Sequence, residues 1–253
     1  MTVLVGVLCS DGVVIGSDSI ATSAAGVHPL LNIQSNSKIE IFESSVIVAA
    51  TGAVGLSQRL SYHVELAVQG GVFRNLNRND ASGNVSTRFL QDCAKTLVQH
   101  NSQHGIQFGA LLAAVVKGKP CLIEYDGVGF QPEAKEGNLF FVSMGSGQIL
   151  ADPFLAFVKR VLWNNALPTV EDAKFGVYWV LEHTIKLAPG GVGRPIRMAS
   201  LSQVNGKWVA AKLESDAGAA EYIAELEDYI GKFPQSKIDS ASASTPPLPP
   251  LPT

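Results

Sequence analysis

Residues 2–22 read TVLVGVLCSDGVVIGSDSIAT. Two β-branched runs, Val3–Leu8 and Val13–Ser17, flank Ser10-Asp11-Gly12, and that pattern is a β-hairpin. The hairpin begins at the second residue, directly behind Met1, and that residue is a threonine. Small residues at this position permit removal of the initiator methionine. Threonine is common in strands, so its presence alone carries no chemistry. A threonine hydroxyl is a weak nucleophile, but the chain's own α-amine can serve as its base, which requires that Met1 be gone. A free α-amine titrates at about 8, so a modest push leaves it neutral near pH 7. A neighbouring ammonium would lower the hydroxyl's pKa and oppose protonation of the amine. Asp18 closes the second run and Lys38 opens the third, and hairpin pairing brings both toward residue 2. Taken singly they read as a strand-end charge pair, which on a surface contributes little.

Outward from this hairpin, Ala21–Ser37 is small and polar, a loop with one short strand near Leu30. Strands follow at Lys38–Phe42 and Val46–Thr51. Helical spacing of apolar residues covers Ala53–Val68, and residues 74–86 read as a polar loop. A second helix starts at a Ser86 or Thr87 cap and carries Phe89, Leu90, Cys93, Leu97 and Val98. Strands return at Phe108–Val116, Pro120–Tyr125 and Leu139–Val142. A helix spans Ile149–Trp163, and Thr169 caps another from Val170 to Lys186. Strands Arg194–Gln203 and Lys207–Leu213 and a helix over Ala217–Gly231 complete the pattern. Segregated blocks of strands and helices indicate an α+β fold. The expected domain is residues 1–233, and 234–253 is a Ser/Ala then Pro-rich flexible tail, with five of the 13 prolines in its last eight residues.

The bulk composition agrees with a globular chain. It has 253 residues, 46% hydrophobic and 16% charged, with a net charge of −3. Lys and Arg form no cluster, which argues against nucleic-acid and anionic-membrane surfaces. The first apolar run lacks a basic leader and stops at Asp11, unlike a signal peptide. No run reaches the ~18 residues of a membrane span. Cys9, Cys93 and Cys121 are odd in number and sit among apolar neighbours, as in reduced proteins of the cytoplasm.

The order T-V-L-V-G at 2–6, SDGVVIGSDSIAT at 10–22, KIEIF at 38–42, VIVAATGAVGLSQRL at 46–60 and MGSGQ at 144–148 resembles a proteasome β-type subunit, of the N-terminal-nucleophile hydrolases. The resemblance implies a four-layer αββα sandwich with two stacked antiparallel sheets between helix layers. It implies a threonine-type peptidase with Thr2 as nucleophile and, through its amine, general base. Lys38 would lower the pKa of the hydroxyl, Asp18 would hold Lys38, and Ser146 would assist at the amine. Gly52 would give the oxyanion a backbone N–H. Thr22 would pair with substrate backbone, and Ala21, Asn36, Ala50 and Val54 would line the pocket for the side chain before the cut. Substrates would be peptides or unfolded proteins, cut in a homo-oligomeric cytoplasmic ring without metal or other cofactor, with an ATP-driven unfoldase left open as feeder. Two alternatives stand beside this: an amidohydrolase acting on a small-molecule amide, and a non-catalytic ring or scaffold subunit that keeps Met1.

The resemblance departs at KLAPGGVGRPIRMASL, residues 186–201, where Pro189 and Val192 stand in place of an aspartate and a serine that orient the amine. The loop from Thr22 to Lys38 is also longer. Gly145-Ser146-Gly147 is no nucleophile elbow, because Met144 stands where that motif needs glycine. Gly190-Gly191-Val192-Gly193-Arg194 reads as a plain turn and not a phosphate cradle. His100 and His104 read as helix-end residues and not a metal pair. His183, Trp163 and Trp179 read as packing residues.

Overall fold

The computed structural model of the chain describes residues 2–20, 37–99, 108–188, 191–213 and 217–231. The opening hairpin is β1 (Leu4–Leu8) and β2 (Gly12–Ser17), in antiparallel register from Leu4↔Ser17 to Leu8↔Val13. Both strands are buried on both faces, which is why they read as unbroken apolar runs. They form the middle of a five-stranded sheet in the order β10-β9-β2-β1-β8, with β8 at Phe141–Met144, β9 at Arg197–Val204 and β10 at Lys207–Leu213. A second five-stranded sheet runs β3-β4-β5-β6-β7, over Ile39–Phe42, Val46–Gly52, Phe108–Val116, Lys119–Tyr125 and Pro132–Ala134. All its pairings are antiparallel.

The period of two along each strand sorts the side chains into layers. Leu4, Val13 and Ile15 of the first sheet pack against Ile39, Ile47, Ala49, Leu111, Ala113 and Leu122 of the second. The alternate residues of the second sheet, Val46, Val48, Ala50, Ala110 and Leu112, turn outward. They meet Leu60, Val64 and Ala67 of α1 (Val54–Gln69), Phe73 of α2 (Val72–Asn75), and Ala81, Val85 and Phe89 of α3 (Arg78–Gln99). Helices α4 (Gln148–Val161) and α5 (Val170–Leu187) cover the outer face of the first sheet. The result is the expected αββα sandwich. Helix α5 sits close because β2 offers glycines: a Cβ at Gly16 would lie 2.7 Å from Leu181 Cδ1 and Val177 Cγ1. The chain divides into two compact units, residues 1–214 and 215–253, and the second is described through α6 (Ala217–Gly231). No helix among the described residues is long and apolar enough to cross a membrane.

Four local expectations need correction. Residues 74–86 are not a loop: 74–75 end α2 and 78–86 are the first turns of α3. Asn77, not Ser86 or Thr87, caps it: Asn77 Oδ1 accepts the Asp80 N–H at 2.9 Å. The buried face of those turns is made of Ala81, Ser82, Val85 and Ser86, and small and hydroxyl residues gave no apolar stripe to read. Strand β8 lies later than Leu139–Val142, since Leu139 is exposed and Met144 is buried. Strand β9 begins at Arg197 rather than Arg194, and helix α4 ends at Val161, short of Trp163. The Thr169 cap is present as a full capping box with Asp172. Trp163 and Trp179 are buried, and the His183 ring stacks on Phe154 at 4.1 Å. Ala21, Thr22, Leu30, Asn36, His100, His104, Pro189 and the tail lie outside the described residues.

Two glycines behave oppositely. A Cβ at Gly12 would lie 2.1 Å from the Leu201 carbonyl oxygen on the paired strand, whereas one at Gly83, inside α3, meets nothing within 4 Å. Gly12→Ala is expected to destabilise the fold by about 3 kcal/mol or more, and Gly83→Ala to stabilise it by roughly 0.5–1 kcal/mol. Urea denaturation of the two variants measures both signs.

Candidate active site

The β2 strand ends at Ser17, and Asp18 follows with a side chain that is fully buried. A buried carboxylate needs donors on both oxygens, and this one has them. Its Oδ1 accepts the Val3 N–H at 3.0 Å and Lys38 Nζ at 2.5 Å. Its Oδ2 accepts the Ile20 N–H at 3.1 Å and the Gly193 N–H at 3.3 Å. The Asp18 N–H in turn donates to the Val3 carbonyl at 3.2 Å, so Asp18 clips the residue next to Thr2 at two points. Lys38 arrives from the opposite sheet, just before β3, and its carbonyl accepts the Ala50 N–H of β4 at 3.3 Å. Only 10% of its side chain is exposed. Burial pulls its pKa below the ordinary lysine value, and the Asp18 carboxylate pulls the other way.

Thr2 is held at both ends of its backbone. Its nitrogen donates to Ser146 Oγ at 3.1 Å, and its carbonyl accepts the Gly147 N–H at 3.0 Å. Behind Met1 that nitrogen is a peptide nitrogen; on removal of Met1 the same atom is the α-amine. The turn that delivers these contacts requires glycine. Gly145 has φ +90°, and a Cβ there would lie 2.3 Å from the Thr2 carbonyl oxygen and 3.2 Å from Thr51 Oγ1. Thr51 is followed by Gly52, the end of β4, at φ +116°. Helix α1 starts two residues later on an Ala53 cap with no side-chain cap bond and no acidic residue in its first turn. Helix α4 begins the same way behind Gly147. Two positive helix ends are therefore left unneutralised beside Thr2 and Gly52.

The structure thus gathers Thr2, Asp18, Lys38 and Ser146 in one hydrogen-bonded set. Gly52, the buried Ala50 and the half-exposed Val54 sit at the adjoining β4–α1 junction. Gly193 is the member that the sequence did not disclose. The Gly191-Val192-Gly193 segment reads as a plain turn, yet one of its N–H groups is a ligand of the central carboxylate. Glycine repetition just before a late strand was the available signal. Among the described residues, the buried Ser17 Oγ has no hydrogen-bond partner.

A family model for the proteasome subunit matches residues 2–159. The chain belongs to the proteasome subunit family. Solved structures agree on the fold of this family member. An Anbu (Gly-1) mutant from Hyphomicrobium sp. strain MC1 superposes with a TM-score of 0.71 at 14% identity, over 95% of this chain and 100% of that one. Anbu, described as an ancestral β-subunit, from Yersinia bercovieri gives 0.67 at 15%, covering 92% and 98%. The helical assembly of the Anbu complex from Pseudomonas aeruginosa gives 0.66 at 17%, covering 92% and 98%. A comparison with curated protein sequences found no match. The proteasome-family match spans Thr2, Asp18, Lys38, Gly52 and Ser146, and ends before Gly193.

In this proteasome-family fold the Asp18–Lys38 pair is buried on both sides, so each charge depends on the other. Asp18→Ala is expected to cost about 3–5 kcal/mol, because it strands the Lys38 ammonium. Asp18→Ala combined with Lys38→Met is expected to recover part of that loss. Chemical denaturation of the single and double variants checks the order.

Proposed function

We propose that the chain is a threonine peptidase in which Thr2, freed of Met1, is both nucleophile and base. The observation that carries this reading is the bonding around residue 2: Ser146 takes the Thr2 nitrogen while Asp18 ties Val3 to Lys38. The neutral α-amine accepts the hydroxyl proton as Oγ1 attacks the peptide carbonyl. The Lys38 ammonium lowers the hydroxyl's pKa and disfavours a second positive charge on the amine. The developing oxyanion takes the Gly52 N–H and the positive start of α1. Collapse breaks the C–N bond, the departing amine takes the proton, and an ester on Oγ1 remains. A water deprotonated by the α-amine then hydrolyses that ester and restores Thr2. In this reading Ala50 and Val54, with Ala21 and Asn36, receive a small to medium uncharged side chain, and Thr22 pairs with substrate backbone.

The likeness to the Pseudomonas aeruginosa Anbu assembly supports self-association of this chain. The substrates that follow from the peptidase reading are peptides or unfolded polypeptide. The three buried, unpaired cysteines suit a reducing cytoplasmic compartment.

A peptide epoxyketone closes a ring only with a hydroxyl and a free α-amine on one residue. Mass spectrometry is expected to find that ring adduct on Thr2. Thr2→Ala should lose peptide cleavage by on the order of 10⁴-fold or more, with an unchanged melting temperature. A protein that retains Met1 and forms no adduct would overturn the reading in favour of a scaffold.

The pH profile follows from the two bases. Activity rises as the α-amine loses its proton, around the ~8 of a free α-amine or below it. It falls as Lys38 loses its own, at a pH below the ordinary lysine value of about 10.4, because burial disfavours the ammonium. Initial rates of peptide cleavage across pH 6–11 test both limbs, and a falling limb at or above the ordinary lysine value would contradict the role given to Lys38.

A further inference from the structure

The Asp18 carboxylate is served on Oδ2 by two backbone donors, Ile20 and Gly193. Ile20 is chain-adjacent and comes with the strand end. Gly193 comes from a segment without regular structure between α5 and β9, and its position has to be fixed by something else. Part of the fixing is mutual. The Gly193 carbonyl accepts the Ser19 N–H at 3.0 Å, and Ser19 Oγ donates to the Pro195 carbonyl at 2.6 Å. The Ile20 side chain covers Gly193 so closely that a Cβ there would lie 2.1 Å from Ile20 Cδ1. These contacts join residues 191–195 to residues 19–20, and the start of the segment is tied to the end of α5, where the Ala188 carbonyl accepts the Gly191 and Val192 N–H groups at 3.0 and 3.3 Å.

Arg194 adds a side-chain anchor on the far side of Gly193. The Arg194 guanidinium pairs with the Glu182 carboxylate and also bonds the Tyr178 side chain, both on α5. Helix α5 is the most deeply packed helix of the first sheet's outer layer, seated on β2 through Gly12 and Gly16. Glu182 is nearly buried on α5, with 10% of its side chain exposed against 54% for Arg194, so the pair is fixed from the helix side. We propose that Arg194, held by Glu182 and Tyr178, is a positioning residue: it holds the Gly193 N–H against Asp18 and so sets the Asp18–Lys38 pair. All three residues lie beyond residue 159, outside the matched family segment. Arg194 itself stands in the stretch, residues 186–201, where Pro189 and Val192 replace the polar residues of the resembled pattern.

The kinetic consequence rests on the peptidase reading, but the positioning itself does not. Loosening the 191–195 segment admits water to the Lys38 ammonium and removes a donor from its partner carboxylate, and both raise the lysine's titration midpoint. A direct charge effect would behave otherwise. Removing a cation at 194 raises the midpoint, while removing an anion at 182 lowers it. The test is therefore a lysine Cε NMR titration of the full-length protein with kcat and KM on a fluorogenic peptide. Lys38→Arg assigns the resonance.

Arg194→Gln and Glu182→Gln are both expected to move the Lys38 midpoint upward. They should lower kcat on the order of tenfold with KM within about twofold, and Arg194→Lys should restore most of both. Gly193→Ala, which displaces Ile20, should move the midpoint the same way and serves if either charge variant fails to fold. Midpoints that stay put, or that move in opposite directions, would overturn the proposal. A wild-type protein that cuts no peptide would instead sink the peptidase reading, with the titration still deciding the positioning role.

Discussion

The Asp18 carboxylate is the constraint on which the site depends. A charge with no exposed surface, at the rim of an apolar sandwich, is tolerable only when its lone pairs are filled. Its donors come from four places far apart in sequence: residues 3, 20, 38 and 193. One belongs to β1's approach, one to the strand end itself, one to the opposite sheet, and one to the α5–β9 connection. Filling a single carboxylate therefore locks the two sheets and a late loop around the start of the chain. Removing either member of such a pair is costly, whereas replacing both by packed apolar groups is often neutral.

Close approach is the second device. Glycines sit where layers or backbones come within a side chain's width of each other: Gly12 and Gly16 under α5, and Gly145 against the Thr2 carbonyl. The Gly145 turn lets α4 begin at Gln148 directly beneath Thr2, so a helix N-terminus and the Ser146 hydroxyl reach the same residue. Neither α1 nor α4 spends its positive end on an acidic first turn. Both ends face the region where the proposed reaction develops negative charge and where a protonated amine is unwelcome.

Much of this was legible in the sequence, for reasons that can be named. Strands β1 to β6 announce themselves because β-branched runs are broken by turn residues, and the Thr169 capping box marks the start of α5. The start of α3 was hidden because its buried face is Ala81, Ser82, Val85 and Ser86, whose small side chains fit beneath a neighbouring sheet without looking apolar. Thr2, Asp18, Lys38 and Ser146 were legible as residue types in a familiar order. Gly193 was not, since its contribution is a backbone N–H that any residue carries and only tertiary structure aims. The Arg194–Glu182 pair was equally silent, because an arginine after a glycine turn and a glutamate within a helix are ordinary on their own.

The strand register explains why residue 2 is the one presented toward Lys38. Leu4 packs between the sheets, and a Cβ at Gly6 would meet Leu111 and Leu122 of the opposite sheet. Continuing that alternation one step back puts the Thr2 side chain on the face toward the second sheet, the side from which Lys38 arrives. Val3 then turns to the other face, and its N–H and carbonyl are free to clip Asp18. A slip of one residue would bring valine to the lysine and send the hydroxyl toward the helices. Two backbone bonds to Asp18 on one side and those to Ser146 and Gly147 on the other forbid that slip. The hydroxyl of the proposed nucleophile is thus carried on a backbone pinned from both sides, as in the interior of a sheet.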